Sequence, residues 1–159
     1  MKSRIRTKIV LGGALLLAVV LGSLAYSHCQ IPCGIYDDEG RFKELAEHIT
    51  TIEKSMKQIK LLSAERKPNM NQVVRWVNNK EHHADELSEV VTYYFMAQRV
   101  KLPPEGDTKA QNDYLKKLTL LHRMLVYSMK AKQTTDLDNV EKLRSSLTAF
   151  HDVYFTKSG

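Results

Sequence analysis

Seven apolar residues, Phe42, Leu45, Ile49, Ile52, Met56, Ile59 and Leu62, recur at alternating three- and four-residue spacing. Such a stripe lies along one face of an α-helix, whereas a strand turns successive side chains to opposite faces. Sustained over three heptads, it predicts a long helix over about 38–66 that Pro68-Asn69 ends. A second stripe, Val73, Val77, Ala84, Leu87, Val91 and Tyr94, predicts a helix over about 70–100, with Lys80 as a polar interruption on the same face. Pro103-Pro104-Glu105-Gly106 breaks the chain. A third helix over about 107–132 is expected to turn Tyr114, Leu118, Leu121 and Leu125 inward. Thr135-Asp136 supplies N-cap chemistry for a fourth, carrying Leu137, Val140, Leu143, Leu147, Phe150 and Tyr154 and ending near Lys157. No segment shows period-two alternation and no repeat appears, so the expected fold is all-α, an up-down-up-down four-helix bundle.

A bundle by itself carries no function. One common bundle chemistry, a di-iron site built from Glu-x-x-His pairs, is excluded because no glutamate has a histidine three positions later. His48, His122 and His151 show no mutual spacing that defines a second metal site, and His82-His83 read as exposed polar residues. Methionines at helical spacing read as core filler.

The front of the chain has a different character. Lys2, Arg4, Arg6 and Lys8 precede an uncharged run from Ile9 to Ala25, which is the pattern of a secretory signal peptide. Ala25 and Ser27 put small residues three positions and one position before His28, so signal peptidase is expected to cut after Ser27. The chain then divides into a signal peptide at 1–27, a short N-terminal segment at 28–36 and the bundle at 37–159. Export to the periplasm or the exterior follows. An uncleaved membrane anchor is the competing reading, although the run is at the short limit for spanning. Lipidation at Cys29 is disfavoured by the bulky His28 before it. Without the four leading cations, 24 basic residues become 20 against 18 acids, and the net charge of +6 drops to +2. The basic character is therefore partly a targeting feature, and no nucleic-acid partner is expected.

Both cysteines, Cys29 and Cys33, fall within six residues of that cut, and none follows. Disulfides that staple a fold close long loops, so these two have a local task. Cleavage before His28 exposes an α-amine and an imidazole on one residue. Cys29 adds a thiolate and a backbone amide nitrogen, and Cys33 adds a second thiolate. Pro32 fixes its own φ, and Gly34 admits backbone angles closed to other residues. Two nitrogens and two sulfurs in a plane, with imidazole as a possible fifth donor, suit a square-planar ion such as nickel(II). Zinc prefers a tetrahedral set of four side chains, which this segment lacks. Copper(II) tends to be reduced by thiolates. Thiolate and amidate donation also brings nickel(III) within reach, giving the one-electron couple that superoxide dismutation requires.

The string His28-Cys29-Gln30-Ile31-Pro32-Cys33-Gly34-Ile35-Tyr36 closely resembles the processed N-terminus of the nickel superoxide dismutases, His-Cys-x-x-Pro-Cys-Gly-x-Tyr. The resemblance implies that His28, Cys29 and Cys33 hold one nickel ion per subunit. It implies that Tyr36 sits over the open axial face and limits access to small anions such as superoxide. Glu44 takes the place of the glutamate that orients the ligand imidazole, and Tyr94 that of a second tyrosine facing the site; Tyr36, Tyr94 and Glu44 are thus the expected catalytic set. It further implies a homohexamer. The arginine that usually accompanies the glutamate is missing from Asn79-Lys80-Glu81-His82-His83-Ala84, where Lys80 or His83 stands as a substitute. Two other readings remain: an exported nickel- or copper-binding protein without turnover, and a membrane-anchored helical interaction protein. A local Cys29–Cys33 disulfide is the bland alternative for the cysteines.

Overall fold

A computed structural model describes residues 38–156. The expected signal peptide and the segment carrying His28, Cys29, Cys33 and Tyr36 lie outside the described residues.

Four helices account for nearly all of the described chain: α1 (Asp38–Ser63), α2 (Met70–Glu89), α3 (Thr108–Gln133) and α4 (Asp138–Phe155). A π-helical stretch, Val90–Arg99, prolongs α2. Among the described residues there is no strand. Each helix packs on the next, and α1 also packs on α4. Cross-helix hydrogen bonds fix the direction of each pair. Asp38 and Ser55 of α1 meet Tyr94 and Asn79, Ala84 of α2 meets Ser128 of α3, and Glu53 of α1 meets Arg144 of α4. Early residues of one helix therefore face late residues of its neighbour, which is the up-and-down bundle expected from the short links.

The stripes on α1, α2 and α4 are the core. Phe42, Leu45, Ile49, Ile52, Met56 and Ile59 are buried, as are Ala84, Leu87, Val91 and Tyr94 from the second segment and Val140, Leu143, Leu147 and Phe150 from the fourth. Helix α3 departs from expectation. Tyr114, Leu118 and Leu125 are only half-buried, while Leu120, Leu121, Met124, Ser128 and Ala131 face the core. Its stripe is rotated because the small residues Ser128 and Ala131 admit the close approach of α2, where the Ser128 hydroxyl donates to Ala84 O at 2.8 Å. Periodicity weighted by side-chain size misses such a face. Met56 and Met124 are core filler, but Met70 and Met129 are exposed.

The helix ends follow local chemistry. Asn69 and Asp107 are N-caps whose side chains accept from Gln72 N at 3.3 Å and Ala110 N at 2.9 Å. Gly106 supplies the left-handed turn before α3, with φ of 79°. The cap expected of Thr135-Asp136 for α4 is displaced: the Asp136 carboxylate accepts from Asp138 N at 3.0 Å, and Leu137 occupies the cap position.

The polar interruption on the second stripe proves structural. Lys80 is 3% exposed, and its ammonium donates to the carbonyl of Lys132 and, at 3.2 Å, to that of Thr134. It thus caps the negative end of α3, where carbonyls lack intrahelical partners. Burial, with Lys132 beside it, pulls its pKa below the ordinary lysine value. Lys80→Ala is expected to strip those carbonyls of their donor and to leave a cavity. Chemical denaturation is expected to show a loss of about 2–4 kcal/mol, while a surface change such as Lys101→Ala leaves the midpoint unmoved.

Candidate functional site

Chain connectivity selects the pole to examine, because Asp38 follows Tyr36 by two residues and opens α1. Consecutive Cα atoms are about 3.8 Å apart, so whatever segment 28–36 does, it joins the bundle here.

Three side chains from two other chain segments converge on the Asp38 carboxylate. Tyr94, fully buried on the π-helical stretch, donates its hydroxyl to Oδ1. The Arg99 guanidinium donates to Oδ2, and the Tyr154 hydroxyl from the end of α4 donates to the same oxygen at 2.8 Å. Arg99 Nε also donates to the Tyr154 oxygen at 3.3 Å. Burial works against the Asp38 charge, but the three donors outweigh it and hold the carboxyl below its usual pKa. Its place in the first turn of α1, at the positive end of the helix dipole, suits that charge. The same contacts act oppositely on the donors. Burial and the bond to Asp38 push the Tyr94 phenol up to about 12, Tyr154 moves up for the same reasons, and Arg99 is locked as a cation by Asp38 and Tyr154.

Aromatic packing supports the network. Phe42 lies 5.0 Å from Phe95 and 5.4 Å from Phe150, and Phe95 meets Phe150 edge-on at 5.0 Å and 89°. The π-helical geometry brings Tyr94 and Phe95 inward together, above Val90 and Val91. Its wider turn is closed by Val100 N donating to Phe95 O at 2.9 Å. Long π stretches are rare and concentrate at functional positions.

Glu44, one and a half turns into α1, is bound by Arg41 Nη1 at 2.5 Å and remains partly exposed. The Arg41 guanidinium also lies 5.2 Å from the Tyr94 ring centroid. The structure therefore corrects the expected substitute for the missing arginine. Lys80 is committed to the end of α3, and the Ser55–Asn79 bond places it about three turns away from Glu44 along the bundle. His83 is engaged with His48. The arginine at Glu44 comes from α1 itself, three residues upstream. An i, i+3 ion pair was readable from the sequence.

Sequence reasoning named Tyr94 and Glu44 but did not foresee their partners Asp38, Arg99, Tyr154 and Arg41. A buried tyrosine requires a hydrogen-bond partner, and Tyr94 and Tyr154 on inward stripes carried that signal. Beside the network, a cleft of about 310 Å³ is lined by Arg99, Lys101, Lys109, Lys117 and Tyr154 among others. Among the described residues, no group of three or more His, Cys, Asp or Glu side chains is placed to hold a metal. Segment 28–36, which carries His28, Cys29 and Cys33, lies outside the described residues.

The profile of the nickel-containing superoxide dismutases matches residues 23–158, taking in that segment and all four helices. The chain belongs to this family. It is accordingly an oxidoreductase that acts on superoxide, with nickel as its cofactor. No curated protein and no solved structure matches the chain. Among the described residues, no helix of this dismutase is long and apolar enough to cross a membrane.

The raised phenol of Tyr94 carries a pH signature. A group whose folded pKa exceeds its unfolded one contributes stability that is complete below the unfolded value and declines above it. Unfolding free energy is expected to fall between about pH 10 and about pH 12. In Tyr94→Phe that alkaline decline is expected to shrink, as measured by urea unfolding across the range.

Proposed function

We propose that the dismutase site of this chain forms at a processed N-terminus, released when signal peptidase cuts between Ser27 and His28 of the exported precursor. The His28 amine and imidazole, the Cys29 amide and thiolate and the Cys33 thiolate would hold the nickel ion. This set of nitrogens and anionic sulfurs matches the preference of nickel for strong planar donors. Nickel bound there supplies a couple between its divalent and trivalent states, so that one superoxide is oxidised to dioxygen and the next is reduced to peroxide.

The remaining steps belong to the protein. Glu44 would accept the ring N–H of His28 and fix its orientation, while Arg41 directs the Glu44 carboxylate. Tyr36 covers the open face and orders water, which delivers the two protons that peroxide needs. Tyr94 retains its own proton at neutral pH, because its hydroxyl is pledged to Asp38. Its contribution is to position the segment that follows Tyr36. With Lys101, Lys109 and Lys117 set against Asp107 and Asp113, the adjoining cleft keeps a small excess of cations that would draw the anionic substrate toward this pole.

One observation carries this reading: the family match includes segment 28–36, and the bundle anchors the residue two positions beyond it in the Asp38 network. Thiolates are vulnerable to the peroxide product, and burial of the segment between subunits of a homohexamer would shield them. Each bundle with its segment forms one subunit of that assembly, in the periplasm or the exterior.

Mass spectrometry of the exported protein is expected to show a chain beginning at His28 with one nickel per subunit. Cys33→Ser is expected to lose nickel and dismutase activity together. Tyr36→Phe is expected to keep the metal and lose part of the activity. An intact Met1 chain with full activity defeats the proposal. A protein that binds nickel but turns over no superoxide favours instead an exported metal-binding role.

A further inference from the structure

Two histidines that have no relation in the sequence meet between α1 and α2. His48 Nδ1 and His83 Nδ1 are 2.8 Å apart, with ring centroids separated by 5.1 Å. The contact joins residues 35 positions apart in the chain. Two neutral imidazoles at this distance share one proton, with one Nδ1–H donating to the other ring's lone pair. That arrangement leaves a debt elsewhere. Among the described residues His48 Nε2 is buried with no hydrogen-bond partner. Whichever tautomer His48 adopts, a buried ring nitrogen stays unsatisfied, and an ordinary structural histidine avoids that cost.

The surroundings of His83 favour its uncharged ring. Burial first, then the neighbouring His48 and His82, holds His83 below the usual histidine pKa, while Glu86 and Glu47 pull only weakly the other way. Moving the shared proton to the Nε2 of the ring that carries it frees both Nδ1 lone pairs for one Lewis acid. Metal–imidazole bonds are about 2.0–2.1 Å long, so two nitrogens at a right angle around one ion lie about 2.9 Å apart, against about 3.3 Å in a tetrahedron. The observed 2.8 Å fits the right-angled bite. Imidazole pairs with that bite suit tetragonal nickel(II) or copper(II), whose other positions water can fill.

We propose that His48 and His83 form a second metal site, a cis bis-imidazole pair that binds one divalent tetragonal ion on the flank of the bundle. The site goes beyond the dismutase reading and shares no ligand with it. Its mouth is polar: His82 stacks beside His83 at 5.4 Å and reaches Glu86 at 3.8 Å, so a carboxylate lies near enough to stabilise the bound charge. Glu44 is one turn before His48 on α1, which puts the pair beside the residue assigned to orient the hook imidazole. An ion held here is a store of metal at the bundle, available without occupying the catalytic ligands.

The test uses the mature chain with the hook ligands removed, His28→Ala/Cys29→Ser/Cys33→Ser, titrated separately with nickel(II) and copper(II). One equivalent of at least one ion is expected to bind, with nitrogen hyperfine structure in the copper spectrum and no sulfur charge-transfer band. Binding is also expected to raise the thermal midpoint. Adding His48→Gln or His83→Gln is expected to weaken binding about tenfold or more, with circular dichroism confirming the fold, whereas His82→Gln changes it less than about twofold. The proposal is overturned if the hookless chain takes up no stoichiometric ion. It is equally overturned if uptake survives both His48→Gln and His83→Gln. Because the hookless chain has no dismutase ligands, neither result depends on whether the hook performs as assigned.

Discussion

The Asp38 carboxylate sits at the first turn of α1 and accepts hydrogen bonds from Tyr94, Arg99 and Tyr154. The π-helical stretch and the end of α4 thus close on one charged group at the start of α1. Its cost of burial is met by three donors, and each donor is in turn fixed by it. Removing a single partner from such a network leaves the others with unsatisfied buried groups, so the pole behaves as a unit. The π-helical stretch belongs to the same arrangement, since it brings Tyr94 and Phe95 inward together and delivers Arg99 at its end. The start of α1 is thereby held in register with the rest of the bundle.

The two ends of the bundle divide the work. At the far end, Lys80 reaches across to the last carbonyls of α3, a role in stability alone. At the near end the charged groups are an aspartate, two arginines, a glutamate and the cations of a cleft beside them. That end also receives the chain from the hook. Placing the polar apparatus there leaves the long middle of the bundle to apolar packing, where Leu45, Ile49, Ile52, Leu87, Leu121 and Leu143 are completely buried. The exception in the middle is the His48–His83 pair, which lies against that core with one nitrogen unpartnered among the described residues.

Much of this protein was legible in the sequence. Four helices, their breaks and three of their four inward faces follow from apolar spacing, because burial of a helix face is a local and periodic property. The family was readable from nine residues, since so unusual a set of donors close together in the chain has few uses. Tyr94 was placed by its position on a buried stripe. What the sequence alone did not reveal is of another kind. Helix α3 buries Ser128 and Ala131, whose small size is a packing advantage only opposite α2. Lys80 read as an interruption until its partners 52 and 54 residues away came into view.

By itself, then, the sequence determined the all-helical class, the metal and the reaction, because each rests on residues close together in the chain. The tertiary structure alone decided which side chains meet. It joined Asp38 to Tyr154 across 116 residues and set His48 against His83. It also wound residues 90–99 as a π-helix. The physical reason is one of range. Helix periodicity repeats within a few residues, whereas hydrogen bonds between helices depend on axial register and rotation, which only the packed bundle fixes.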